Sequence, residues 1–209
     1  MEPRRPGWQL VCGKSGSLSP VDLTDNIGIG TAAPNEQLEI TGNFRLPVNT
    51  ARTGLIMSDG NRFIHNFGTN NFFAGANAGN LNMTGICCNT GVGVDALMKN
   101  TTGLSNTAAG FSAFLASTAG SNNTAVGFGA DVSSSNMTNA TAIGNGALVN
   151  ASNKIRLGNS SVTVLETAAD VFVETRGLGI ILRDTDGAGC HRITVNSAAI
   201  LSAAVVTCQ

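Results

Sequence analysis

The stretch Asn123-Thr-Ala-Val-Gly-Phe-Gly-Ala-Asp131 decides the fold, because versions of it recur along the middle of the chain. Three further copies are Asn89-Thr-Gly-Val-Gly-Val-Asp-Ala-Leu97, Asn106-Thr-Ala-Ala-Gly-Phe-Ser-Ala-Phe114 and Ala140-Thr-Ala-Ile-Gly-Asn-Gly-Ala-Leu148. The glycine at the centre of each copy returns every 17 residues, with a divergent earlier copy and a shorter last step of 14. These glycines are Gly75, Gly93, Gly110, Gly127, Gly144 and Gly158. Such a fixed period is typical of proteins whose repeats stack on one another.

Each repeat has the pattern of one or two short strands joined by turns. Its core alternates small or polar with apolar residues, as in Thr124-Ala-Val126, and its Gly, Asn and β-branched residues disfavour a helix. Turn chemistry such as Asn100-Thr-Thr-Gly103 separates the copies. One repeat can form one coil of a solenoid, and we expect an inward column made of Val92, Ala109, Val126 and Ile143.

Association of several chains is expected because one thin coil buries little apolar surface. That burial has to offset roughly 1–2 kcal/mol of backbone entropy per ordered residue. Stacking of coils and trimerisation would supply the missing burial. The predicted fold class is therefore all-β, with a repetitive β-solenoid or β-roll-like shaft that associates with further copies, and a small C-terminal β cap.

Composition and charge exclude several classes of function. The 209 residues include 26 Gly, one Trp and no Tyr, and their formal net charge is -1. Between Asn66 and Asn153 the only charged residues are Asp95, Lys99 and Asp131. We expect no nucleic-acid partner, because such binding favours clustered Lys and Arg. We also expect no membrane insertion, since no run of about 18 apolar residues occurs. No cofactor is expected.

The charge distribution and the repeats divide the chain into four parts. We predict an N-terminal attachment arm (1–23), a β connector (24–69), a repeat shaft (70–153) and a C-terminal β cap or tip (154–209). Trp8 and Leu10 in the arm are candidates for docking on a particle or baseplate protein. Four strands are expected in the cap, at 171–174, 178–183, 191–195 and 200–207.

The Asn-Thr-Ala-Val-Gly units linked by Thr-Thr-Gly resemble the repeats of phage and bacterial tail-fibre-like proteins. More loosely, they are similar to the head repeats of trimeric autotransporter adhesins. Segments around the shaft add to the resemblance, which covers about residues 24 to 165. They are Asn26–Gly42, Arg62–Gly68, Asn71–Gly79 and Asn153–Val164. The resemblance implies an intertwined β-rich homotrimer used for attachment.

The function expected from these features is that of a structural, non-enzymatic fibre protein located in a virion or an extracellular appendage. Its partners would be two further copies, a particle protein and a host-surface receptor, for which a glycan is one candidate. Alternatives are a bacterial surface adhesin, a contractile-injection-system fibre, an ice-binding solenoid and a polysaccharide depolymerase. The ice-binding alternative comes from the threonine column Thr90, Thr107, Thr124 and Thr141.

No catalytic or metal site is predicted. His65 and His191 are the only histidines, and we expect both to be structural. Gly28-Ile-Gly30 has the spacing of part of a dinucleotide fingerprint, but Pro34 follows and no amphipathic helix does, which favours a strand and a turn. Cys12, Cys87 and Cys88 lack Cys-x-x-Cys spacing. Cys190 and Cys208 flank a predicted hairpin and are hypothesised to form a disulfide, with two buried thiols as the alternative.

Overall fold

In a computed structural model, all regular secondary structure of the described residues is β-strand. The structure describes residues 11–12, 18–19, 27–29, 31, 33–48, 50, 53–84, 87–168, 180–183, 189–195 and 201–206. No helix occurs in these ranges, and so none is long and apolar enough to cross a membrane. Trp8, Leu10 and the predicted strand at 171–174 lie outside the described residues.

The described residues form seventeen strands, most of them only two or three residues long. The first seven are β1 (Val11–Cys12), β2 (Leu18–Ser19), β3 (Ile27–Ile29), β4 (Leu38–Ile40), β5 (Ile56–Ser58), β6 (Asn61–His65) and β7 (Phe72–Ala74). Those of the repeats are β8 (Thr90–Val92), β9 (Thr107–Ala109), β10 (Thr124–Val126), β11 (Asp131–Val132), β12 (Thr141–Ile143), β13 (Leu148–Val149) and β14 (Ile155–Leu157). The last three are β15 (Ile180–Arg183), β16 (Cys190–Val195) and β17 (Leu201–Val206).

The repeats stack as successive coils of a solenoid. Strands β7, β8, β9, β10, β12 and β14 pair in parallel within one eight-stranded sheet. Thr124 pairs with Thr107 on one side and with Thr141 on the other, so one 17-residue repeat is one full coil. A second parallel pair, β11 with β13, lies elsewhere on the coils. The predicted all-β solenoid is confirmed.

The repeat glycines form one column in which neighbouring coils approach more closely than a side chain permits. Gly110 has a φ of +135°. A Cβ placed on it would lie 2.7 Å from the carbonyl carbon of Gly127 and closer still to its oxygen. The same relation holds from Gly75 to Gly93 and onward to Gly144, whose Cβ would meet Gly158. The 17-residue period is therefore the spacing at which the backbone needs glycine.

The interior of the coils is lined by alanine, and the predicted inward column of Val92, Ala109, Val126 and Ile143 is wrong. Ala108, Ala125 and Ala142, one position earlier, are the strand residues that point inward, and they are fully buried or nearly so. One larger core side chain, Phe73, occupies the same inward column, in β7 opposite Gly91. The others come from other sides of the coils, and they are Leu97, Phe114, Val132 and Val149.

The limited space inside the coil explains why alanine, and not valine or isoleucine, points inward. A Cβ on Gly91, which occupies the inward position of its coil, would lie 2.9 Å from Phe73 and 3.4 Å from Leu97. A large side chain does not fit there, because the space is already occupied by the ring of Phe73, the inward residue of the neighbouring strand β7, and by the branched side chain of Leu97. Valine and isoleucine are therefore placed on the outer face of the sheet.

A ladder of buried asparagines ties each coil to the next. The Oδ1 atom of Asn89 accepts a hydrogen bond from the backbone N–H of Asn106 at 2.9 Å, and Asn106 accepts one from Asn123 at 3.0 Å. The Nδ2 group of Asn106 donates to the carbonyl of Gly120 at 2.8 Å. Asn71 begins the ladder, and Ala140 ends it. These side chains satisfy backbone groups that the tight turns would otherwise leave buried and unpaired.

The first coil is covered by antiparallel strands. Strands β5, β6 and β7 pair in sequence and continue the sheet of the shaft. Residues placed by sequence in a separate connector thus share one sheet with the repeats. At the other end, β14 continues the parallel ladder by pairing with β12, although the sequence placed residue 154 at the start of the cap.

The chain divides into two compact units, residues 1–161 and 162–209. The second contains an antiparallel sheet in the order β15-β16-β17. Strand β16 pairs with β17 in a register that puts Val206 opposite Cys190. The C-terminal hairpin is therefore present, with its centre displaced from the position at which Cys190 and Cys208 would face each other.

Candidate functional site

The outer face of the parallel sheet carries two columns of side chains. One column consists of Thr90, Thr107, Thr124 and Thr141, continued by Phe72 and Ile155 at its two ends. The other consists of Val92, Ala109, Val126, Ile143 and Leu157. The second column is apolar throughout, and its large side chains stay well exposed.

A third column lies just beyond the repeat glycines. Val94, Phe111 and Phe128 occupy the same position in successive coils, where the backbone of each coil bonds to the next. The rings of Phe111 and Phe128 are stacked, with centroids 5.1 Å apart and planes 9° apart. This geometry holds two large apolar rings side by side on the outside of the unit.

The second and third columns together form what we call the assembly face, whose large side chains are Val92, Val126, Ile143, Leu157, Val94, Phe111 and Phe128. Between 39 and 60 % of each of these side chains is exposed. Using about 30–60 Å² for a half-exposed aliphatic side chain and about 100 Å² for a half-exposed Phe, the face presents roughly 450 Å² of apolar surface. Apolar patches of this size are often functional.

The alternating pattern of the strands revealed the apolar column of this face, but the sequence analysis predicted that the column points into the coil. Alternation fixes that Val126 and Ala125 face opposite ways, and it does not fix which of them is inside. The Phe111–Phe128 stack could have been found from the same position in two consecutive repeats.

Asp131 is one of the three charged residues of the shaft. Asp131 accepts backbone hydrogen bonds from Ala116 at 2.9 Å and from Val132 at 2.8 Å. Burial raises the pKa of this carboxyl, while the backbone donors and Lys99 act in the opposite direction. Its role in the structure is to hold the turn of the preceding coil.

The two histidines lie in different units of the fold. His65 is buried, its Nε2 donates to the carbonyl of Ala78 at 2.8 Å, and its Nδ1 accepts from the N–H of Phe67 at 3.3 Å. His191 lies in β16, in the other unit. Within the described ranges, no group of three or more His, Cys, Asp or Glu side chains could hold a metal ion.

Four of the five cysteines and part of the Gly-rich segment near the N-terminus belong to the described residues. Cys87 and Cys88 are joined to each other by a disulfide. Cys190 is buried and disulfide-bonded, but Cys208 lies outside the described residues, so the Cys190–Cys208 pairing stays a prediction. Gly28 lies in strand β3, which pairs in parallel with β4, and Gly30 lies outside the described residues.

Comparison of the chain with known protein families, with characterised proteins and with solved structures finds no match.

Proposed function

We propose that this chain is a structural, non-enzymatic fibre protein that assembles as a homotrimer in a phage tail or a related extracellular particle and attaches it to a host surface. The observation that carries the proposal is the assembly face, defined above, on a solenoid built from glycine-anchored repeats. Such a face is costly in water for an isolated chain and is useful where copies pack along their shafts.

The size of the face suits an interface between copies. Interfaces of identical subunits are about 65 % apolar. Roughly 450 Å² of apolar surface then corresponds to about 700 Å² per copy, close to the approximately 800 Å² that each partner buries in a standard interface. At about 25 cal/mol per Å², the apolar part alone contributes roughly 11 kcal/mol, which is comparable with the 4–15 kcal/mol cost of association.

The near absence of charge on the shaft favours the same conclusion. Charged residues are depleted at the centre of subunit interfaces because burial strips their hydration. The shaft between Asn66 and Asn153 contains only three charged residues. A second chain can therefore pack on the assembly face without burying an unpaired charge.

The experiment is to place charge on the assembly face and measure the mass in solution. The double variant Val126→Lys, Phe128→Lys puts two cations on exposed positions of adjacent columns, where folding of the coil tolerates them. We expect it to sediment as a monomer under conditions in which the wild type is a trimer. The control Ser134→Lys, at an exposed turn position outside the face, should remain a trimer. A trimeric double variant would contradict the proposed interface.

A further inference from the structure

A cleft of about 520 Å³ lies in the N-terminal unit, next to the first coil. It is lined by the segment 43–47, which precedes β5, and by residues of β6 and β7. Its volume falls in the range of sites for small molecules. None of the seven large side chains of the assembly face lines this cleft. Packing of copies through the assembly face therefore does not use the residues that line the cleft.

Two aromatic rings line this cleft. Phe44 lies in the segment 43–47, and Phe72 continues the threonine column at the start of the parallel sheet. Both side chains are largely exposed, at 64 % and 47 %. Exposed rings at the wall of a cleft provide flat apolar surfaces for one face of a small ring-shaped ligand.

Three polar side chains with spare hydrogen-bonding capacity line the same cleft. They are Asn43, Arg45 and Asn66. In the described part of the chain, none of the three side chains has a hydrogen-bond or ion-pair partner. Asn amides offer a donor and an acceptor each, and a guanidinium binds a carboxylate through two parallel hydrogen bonds. No carboxylate belongs to the lining, so the cleft is complementary to an anion.

His65 also lines the cleft, but hydrogen bonds within the fold hold its ring. Both ring nitrogens have backbone partners, as described above, and burial lowers the pKa of the imidazole. The ring therefore stays neutral near pH 7, and Arg45 is the cation of the cleft.

We propose that this cleft binds an acidic sugar, such as a hexuronic or sialic acid unit of a host-surface glycan. The rings of Phe44 and Phe72 would pack on the sugar, Asn43 and Asn66 would bond its hydroxyls, and Arg45 would bind its carboxylate. This inference rests on the proposed attachment function and names the chemistry of the receptor.

The test is calorimetric titration of the full chain with glucuronic acid, galacturonic acid and N-acetylneuraminic acid, with glucose as the neutral comparison. At least one acid should bind about tenfold more tightly than glucose. Arg45→Gln and Phe44→Ala should each weaken that binding by about tenfold. Lys99→Gln and Phe63→Ala are the matched controls, because each removes an exposed cation or ring outside the cleft. Both should bind within about twofold of wild type.

Several outcomes would overturn the proposal. They are the absence of saturable binding to all three acids at millimolar concentration, equal affinity for glucose, or unchanged binding by Arg45→Gln. Arg45 and Phe44 are exposed, so their replacement leaves the core intact, and thermal unfolding of each variant verifies this. Trimer mass is measured separately and does not depend on the sugar, so failure of the cleft and failure of the fibre assembly give different results.

Discussion

Replacement of Gly110 by alanine should destabilise the solenoid more than a Gly→Ala change at a turn glycine whose Cβ position is open. Gly110 has a φ of +135°, a conformation sparsely populated by L-residues that costs them about 1–3 kcal/mol. Its new Cβ would also meet the Gly127 carbonyl group, whose carbon is 2.7 Å away. Because that neighbour is backbone, relief requires the two coils to move apart.

The cost of that movement can be worked out from the hydrogen bonds beside the glycine. Gly110 donates to the carbonyl of Val92 and Gly127 donates to that of Ala109, each at 2.8 Å. Loss of both costs about 1–3 kcal/mol. Alanine recovers about 0.4–1 kcal/mol by restricting the unfolded chain. The net loss is about 3 kcal/mol, which lowers the melting temperature of a chain of this size by roughly 6–12 °C.

Two other glycines supply matched controls. Gly129 has a φ of +58° but open space around its Cβ position, and its counterparts Asp95 and Ser112 adopt the same conformation. Gly129→Ala should therefore cost less than about 1 kcal/mol. Gly42 has neither a positive φ nor a neighbour within 4 Å, so Gly42→Ala should be neutral.

Thermal unfolding followed by circular dichroism, at one fixed protein concentration, compares the three variants with wild type. We expect the order Gly42→Ala, Gly129→Ala, Gly110→Ala from most to least stable. Equal stability of the Gly110 and Gly129 variants would refute close stacking of the glycine column.

Three further changes test other parts of the structure. Asn106→Ala leaves the Asn123 N–H and the Gly120 carbonyl buried without partners, so urea unfolding should show a loss of about 3–5 kcal/mol. Exposed Asn145→Ala should change little, and a similarly small loss in both would contradict the ladder. Because the folded pKa of Asp131 is raised above 3.8, its contribution to stability is greatest below that pH and declines as the pH rises through the folded pKa. The unfolding free energy of wild type minus that of Asp131→Asn should therefore be larger at pH 3 than at pH 7. The opposite order would show that burial is not the dominant influence on the pKa of this carboxyl. Phe111→Ala removes one ring of the Phe111–Phe128 stack, and it should weaken association while leaving each coil folded. Sedimentation at several dilutions measures the association, and a variant that dissociates no more readily than Thr107→Ala would contradict a role of the stack in assembly.

The period of the repeats predicted the solenoid because it reflects the positions at which any side chain would clash with the backbone of the next coil. The glycines mark the points of closest approach between coils, and the asparagines mark turns whose carbonyls need a partner. Both features depend on local geometry, so they recur at fixed positions in the sequence. The antiparallel C-terminal hairpin was predictable for a similar reason, since two alternating segments flank a short turn segment.

The direction in which the strand side chains point was not predictable from hydrophobicity. Val126 is more apolar than Ala125, which favours the interior for valine, but the coil is too narrow at that position. The interior is filled by Leu97 and Phe114, which enter from another side of the coil, and by Phe73, the inward residue of the first parallel strand. The cleft could not be predicted from the sequence either, because Phe44 and Phe72 come to it from segments with no shared motif.

The most direct test of the proposed fibre assembly is the mass of the purified chain in solution, measured by multi-angle light scattering. The account predicts a trimer, three times the 21.3 kDa of the chain or about 64 kDa, that persists on dilution. A stable monomer of 21.3 kDa would contradict it, because the assembly face would then be exposed to water in the functional state.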